Sequence, residues 1–292
     1  MQDTMINKNI IITEPSKNLR TLGRNALNGK WKIAIIAVTL YIIVLNLPPV
    51  IFDRLFGLNM GNVVTDNGIN SIDAEFYYQF YQSMPQTSFL SCVYILLVSG
   101  ALQLGISLFF LAAFRRHQVK SSDIFVGFEK FGKALGLLLF RSLFVFLWSL
   151  LFVVPGIIAA FRYSQAFFIL ADDPSKGIRQ CMNESKDMMR GNKAKLFCLS
   201  LSFLGWIFLS SFATGVITSI GTVISANDFV IALFTLVGSL FMAPVYAYIY
   251  ATNAGFYEIL AGHQIKETEP APVAVEEPYA IASSEDEVGD DK

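Results

Sequence analysis

The sequence predicts an all-α polytopic membrane protein: a bundle of about six transmembrane helices with short amphipathic helices on its cytoplasmic side. Three observations lead there. The 292 residues are 54% hydrophobic and 15% charged, too few charges to coat a soluble domain of this size. The charges are clumped between apolar runs long enough to cross a bilayer, which takes about 20 residues. The longest run, from Ala134 to Ala171, holds Arg141 and Arg162 as its only formal charges.

The net charge of -1 hides an asymmetry. Residues 1–32 carry six basic and two acidic groups, and residues 263–292 carry nine acidic groups and two lysines. No segment builds a broad basic face, which argues against nucleic-acid binding. Cys92, Cys181 and Cys198 are scattered and odd in number, so they read as small apolar residues rather than a disulfide or metal set.

Taken in order, residues 1–16 are an irregular amino terminus, 17–262 the helical membrane domain and 263–292 an acidic tail without the apolar groups needed to fold. Pro15-Ser16 opens a short basic amphipathic helix with Leu19, Leu22, Ala26 and Leu27 on one side, suited to an anionic membrane face. Trp31 follows as an interfacial anchor, and span one runs over about 31–50. It ends at Pro48-Pro49 without a small-residue cleavage site, so it reads as retained rather than as a signal peptide. Residues 51–88 form an acidic, lysine-free loop with an aromatic patch at 75–85. Span two covers about 89–114 and carries Gly100, Ala101 and Gly105, which let helices approach closely in lipid. Ser121 or Ser122 caps a short amphipathic helix ahead of the long run.

That run admits two readings. As one helix kinked at Pro155 it measures about 60 Å at 1.5 Å per residue, and the protein has five spans. As a hairpin turning at Pro155-Gly156 it forms spans at 134–154 and 157–171, and the protein has six. Residues 172–195 carry six basic and four acidic groups, and short basic segments favour the cytoplasm. Only the hairpin returns them there, so it is preferred. Spans at about 194–218 and 229–251, the last interrupted by Pro244, complete the bundle and leave both termini cytoplasmic. A glycine and a nearby lysine precede each hairpin, at Gly29-Lys30, Gly132-Lys133 and Gly191-Asn192-Lys193, which suggests three parallel repeats.

Arg162, beside Tyr163, lies deep in the apolar run. An arginine there costs from about 2.5 kcal/mol upward unless paired or snorkelling, so the two residues are the candidate anion or lipid contact. Arg141, nearer the start of its span, is expected to snorkel. The segment after Asp172 is expected to form a helix capped by Asp173 or Ser175 and stopped by Gly191. Asp173, Ser185, Arg190 and Lys193 mark it as a candidate cytoplasmic coupling segment; plain interfacial packing is the alternative. The two histidines, His117 and His263, stand apart in sequence, and no HExxH, Walker A, GxSxG or dinucleotide fingerprint is present. No enzyme chemistry, cofactor or metal is expected.

Several residues in chain order also carry a resemblance: Gly29-Lys30-Trp31, Gly127-Phe128 with Phe131, Pro155-Gly156-Ile157, Tyr163, Asp173-Pro174, Ser185, Met189-Arg190-Gly191, LSFLGW at 201–206, Pro244 and Phe256-Tyr257. Over residues 17–260 the chain resembles the DUF975 family of bacterial integral membrane proteins, found in Firmicutes. Pro244 is followed by Val245 and Tyr246, where that family often has Pro-Tyr. The resemblance implies a multi-span protein of the bacterial plasma membrane and no particular activity. Two functions compete: a scaffold or regulator in envelope homeostasis, with a membrane or cytoplasmic protein partner, and a solute or lipid transporter using Arg162 in a polar cavity. Membrane lipids are partners in either case. The oligomeric state is not encoded in any recognisable pattern.

Overall fold

Three helical hairpins stand side by side, and each is introduced by an amphipathic segment at the same end of the bundle. The computed structural model describes residues 10–56, 88–115, 118–224 and 228–263. The aromatic patch at 75–85, His117 and the acidic tail from 264 onward lie outside these residues. The described residues are helical, without strands.

The first unit contains α1 (Ser16–Ala26), α2 (Trp31–Phe56) and α3 (Phe89–Phe114). The second contains a 3-10 segment (Ser121–Lys130), α4 (Phe131–Leu151), α5 (Val153–Arg162) and α6 (Ala166–Asp172). The third contains α7 (Ile178–Met188), α8 (Lys193–Leu201), α9 (Leu204–Ile224), α10 (Asp228–Ser239), a 3-10 turn and α11 (Ala243–Leu260). Among the described residues, six helical stretches are long and apolar enough to cross a membrane.

The chain folds back after α4, the reading the charge pattern favoured, but the turn falls earlier than Pro155-Gly156. Phe152 is the extended residue (φ -162°, ψ 155°). Pro155 instead sits in the first turn of α5, where a helix has no use for its N–H. Gly156 is there for close approach, because a Cβ would collide with Ser149. The returning span is broken in two at 163–165, and a second break at 202–203 divides α8 from α9.

The centre is α3, whose half near Phe114 is almost wholly buried. Small residues make this possible. A Cβ on Gly105 would strike the Ile124 carbonyl, and one on Gly127 the Ala101 carbonyl, so the 3-10 segment lies directly on α3. Ala243, Ala247, Ala251 and Gly255 recur every fourth residue along α11, and the alanines are buried. Phe110 stacks on Tyr250 at 5.6 Å and Phe168 on Tyr257 at 5.8 Å. The far halves of the second and third hairpins expose Phe146, Leu150, Phe208 and Phe212, as expected of surfaces that meet lipid.

The amino-terminal helix is not free to lie on a membrane face. Its apolar side, Leu19 and Leu27, is buried, and Gly23 admits the Thr252 backbone of α11 at close range. The Tyr248 hydroxyl donates to the Arg20 carbonyl (3.2 Å), and Arg20 Nη1 donates to the Ser202 carbonyl (3.3 Å). Both ends of the described chain therefore meet at one end of the bundle, the basic end.

Ser121 and Ser122 do not cap the segment after α3. Asp123 Oδ2 accepts from the Lys120 amide at 2.8 Å instead. A carboxylate near a helix start satisfies an orphan N–H and opposes the helix dipole more strongly than a hydroxyl does.

Candidate functional site

At the basic end the three returning helices finish together. Arg115 caps the carboxy-terminal end of α3, Asp172 is the last residue of α6, and Glu258 lies in the last turn of α11. Arg115 Nη2 reaches Asp172 Oδ1 at 2.6 Å, and its Nε reaches Glu258 Oε1 at 2.8 Å. One arginine thus bridges two carboxylates, each from a different hairpin. The Glu258 side chain is 4% exposed. The Tyr257 hydroxyl donates to Asp172 Oδ2 at 2.9 Å. His263 Nδ1 lies 3.1 Å from Glu258 Oε2 and 3.3 Å from Arg115 Nη2. All four carboxylate oxygens therefore have a partner, as burial demands.

Sequence reading missed this junction. None of Arg115, Asp172 and Glu258 stands out as a candidate from sequence alone. The available signal was positional: each of the three residues ends a returning span.

A second site lies on the shoulder of the second hairpin. The break after α5 leaves backbone groups without helical partners, and Ser185 of α7 takes up two of them. Its hydroxyl donates to the Arg162 carbonyl (2.9 Å) and accepts from the Gln165 amide (3.2 Å). Ser185 is completely buried, so it is a structural clasp between α7 and the hairpin. The Arg162 guanidinium sits over the Trp148 ring at 5.9 Å. Its Nε is buried without a hydrogen-bond partner, as is Gln165 Oε1.

The other predicted site residues separate. Tyr163 is buried, with its ring 6.1 Å from Phe144, one helical turn from the Trp148 under Arg162. Asp173 does not cap the helix, and neither does Ser175. α7 starts at Ile178 behind Gly177 with no side-chain cap. Asp173 Oδ1 instead accepts from the Ser175 amide at 2.9 Å, closing a local turn. Those Ser175 hydrogen bonds hold its carboxyl below the usual carboxylate range. Arg190 is exposed and pairs with Asp187 at 3.1 Å on its own segment. Lys193 opens α8. Desolvation, then Arg162, then Arg190 lower its ammonium pKa. Arg141 does not simply snorkel to water; its guanidinium lies 6.0 Å over the Phe167 ring.

The cysteines are unpaired in the structure. Cys181 is buried, and burial pushes its thiol up to about 11, which suits a space-filling residue. Among the described residues no group of three His, Cys, Asp or Glu side chains is placed to hold a metal ion.

Fold and junction together define a polytopic all-α membrane protein of three hairpins fastened to one another at a single end. The chain belongs to the family described as "Protein of unknown function (DUF975)", whose model matches residues 10–159 and 150–264. No curated protein and no solved structure matches it.

Proposed function

We propose that this chain is a non-catalytic scaffold or regulator of the bacterial plasma membrane, acting in envelope homeostasis, with both termini cytoplasmic. The observation that carries the reading is the convergence of three hairpins on Arg115, Asp172 and Glu258. At this junction charges from three hairpins are spent on one another, which suits a fixed platform better than a passage for substrate. The sequence offers no nucleophile–base pair. The orientation rests on the basic 1–32, 115–133 and 172–195 segments and the rule that such segments stay inside.

The platform's working surface is the exposed side of α7, which carries Arg179, Asn183 and Lys186 and is anchored from beneath by Ser185. A transporter needs a polar passage to Arg162. Its side chain lies instead over a tryptophan that is itself 40% exposed, which favours a lipid contact over transport.

Two measurements test the reading. A photo-crosslinking residue at 179, 183 or 186 in living cells is expected to give one discrete protein adduct that is absent with the same residue at 158. Smears or no adduct at all three positions, or substrate flux in reconstituted vesicles, would overturn it. For orientation, a cysteine placed at the exposed Arg190 position is expected to resist an impermeant maleimide in intact cells and to react after permeabilisation.

A further inference from the structure

We propose that Arg162 and Lys193 form a binding site for the phosphate of an anionic phospholipid headgroup, at the rim where the second hairpin meets α8. This inference does not rest on the scaffold reading.

The first observation is an uncompensated charge. Among the described residues the Arg162 side chain makes no hydrogen bond or ion pair, and neither does that of Lys193. Only the Nε of the Arg162 guanidinium is buried, so its terminal nitrogens are open to a ligand. Arg115 holds two carboxylates and Arg20 donates to a backbone carbonyl, whereas Arg141, like Arg162, meets an aromatic ring, and among the described residues no second cation stands on a neighbouring element beside it in the same way. A cation within a membrane-spanning stretch with no acceptor is costly, and a second cation on the neighbouring α8 raises the cost. The pair is relieved by an anion that reaches both.

The second observation is packing that holds the two cations on neighbouring elements. The Phe161 ring meets Phe197 edge-on at 5.8 Å, which sets the end of α5 against α8. Ser185 fixes the Arg162 backbone from the α7 side. The site is therefore built by elements of two hairpins rather than by a loose surface side chain.

The third observation is the lysine itself. Lys30 and Lys133 directly follow the glycines that open the other two hairpins, where Lys193 stands one residue further on, and both ammonium groups donate to carbonyls near the end of their own returning helix: Ala113, and Pro174 with Ser175. Lys193 has no such acceptor; it opens α8, whose Phe197 packs on Phe161, the residue before Arg162.

The surroundings choose the source of the phosphate. Trp148, Ile158 and Phe197 flank the site and are all more than one-third exposed. In a membrane protein such surfaces meet acyl chains, so the phosphate arrives attached to a lipid. An arginine presents paired donors to phosphate oxygens and a lysine adds a point charge.

The test uses delipidated full-length protein in neutral detergent and reads both bound lipid by native mass spectrometry and thermal shift. The probes are phosphatidylglycerol, phosphatidylcholine and inorganic phosphate, with Lys193→Gln and Arg162→Gln as variants. Wild type is expected to retain one phosphatidylglycerol in preference to phosphatidylcholine. Lys193→Gln, which removes no hydrogen bond within the protein, is expected to weaken that retention about tenfold, the scale of one charge-assisted hydrogen bond. If inorganic phosphate alone reproduces the shift and Lys193→Gln abolishes it, the site stands with a free anion as its ligand. Equal phosphatidylglycerol and phosphate binding by wild type and Lys193→Gln would overturn the proposal, whether or not Arg162→Gln folds.

Discussion

The first two hairpins and the third begin alike and finish differently. Each opens with a glycine and a lysine at the basic end. In the first two, that lysine closes the unit: Lys30 Nζ donates to the Ala113 carbonyl (3.0 Å) and Lys133 Nζ to the Pro174 carbonyl (2.6 Å). The third needs no such help because its returning helix caps itself. Gly262 adopts φ +76°, its amide reaches the Ile259 carbonyl at 3.0 Å, and the His263 amide reaches the Glu258 carbonyl at 3.1 Å. This glycine-ended closure satisfies the last carbonyls from the backbone alone. The returning stretch of the third hairpin is also less buried: 11% of the apolar window of Phe229–Leu260, against 56% for α3 and 50% for Val153–Asp172.

The largest effect is expected where all three units meet. Arg115→Gln strands two carboxylates, one of them almost fully buried, and removal of one member of such a group costs about 3 kcal/mol. Thermal unfolding in detergent should show a large fall for Arg115→Gln and a smaller rescue by Arg115→Lys, which cannot serve both acceptors in one plane. Equal melting of wild type and Arg115→Gln would mean that the junction does not hold the hairpins together.

The next effect separates the hairpins directly. Gly105→Ala places a methyl against the Ile124 backbone, whereas Gly215→Ala on α9 meets nothing within 4 Å. Overpacking of this kind costs about 1–3 kcal/mol, so Gly105→Ala should melt markedly lower while Gly215→Ala stays close to wild type. Similar losses at both positions would erase the contrast between a packed first hairpin and a loose third.

Much of this architecture was legible because lipid leaves the chain few choices. Apolar length and basic loops were enough to place six crossings and to fold the chain back between Ala134 and Ala171. The turn itself was misplaced by attention to Pro155, a residue that suits the first turn of a helix as well as a loop. Asp173 was misread for a similar reason: Asp-Pro looks like a helix start, yet the chain makes a local turn first and α7 begins at Ile178. The ion junction was hidden because Arg115, Asp172 and Glu258 lie far apart in sequence, and pairing across hairpins is set by tertiary packing. Arg162 stood out on cost alone, while Lys193 was read as part of a coupling segment and not as a neighbour of Arg162. Only the lost cap distinguishes it.

A smaller contrast compares the lysines. Lys133→Met removes donation to two carbonyls beyond the end of α6 and should cost about 0.5–1 kcal/mol. Lys193→Gln should behave oppositely, and the sign follows from linkage. Desolvation, Arg162 and Arg190 depress the Lys193 pKa in the folded state, so between the folded and unfolded values the unfolded chain binds more protons. Stability therefore rises with pH across that interval, and below it the charged lysine is a fixed burden. Replacing it removes the burden: Lys193→Gln should melt slightly above wild type at neutral pH in lipid-free detergent. The gap should close as pH climbs toward the ordinary lysine value of about 10.4. Phosphatidylglycerol should reverse the order by stabilising wild type more than the variant. If Lys193→Gln melts below wild type in lipid-free detergent, the third lysine has an internal partner after all and the distinction among the three hairpins fails at its narrowest point.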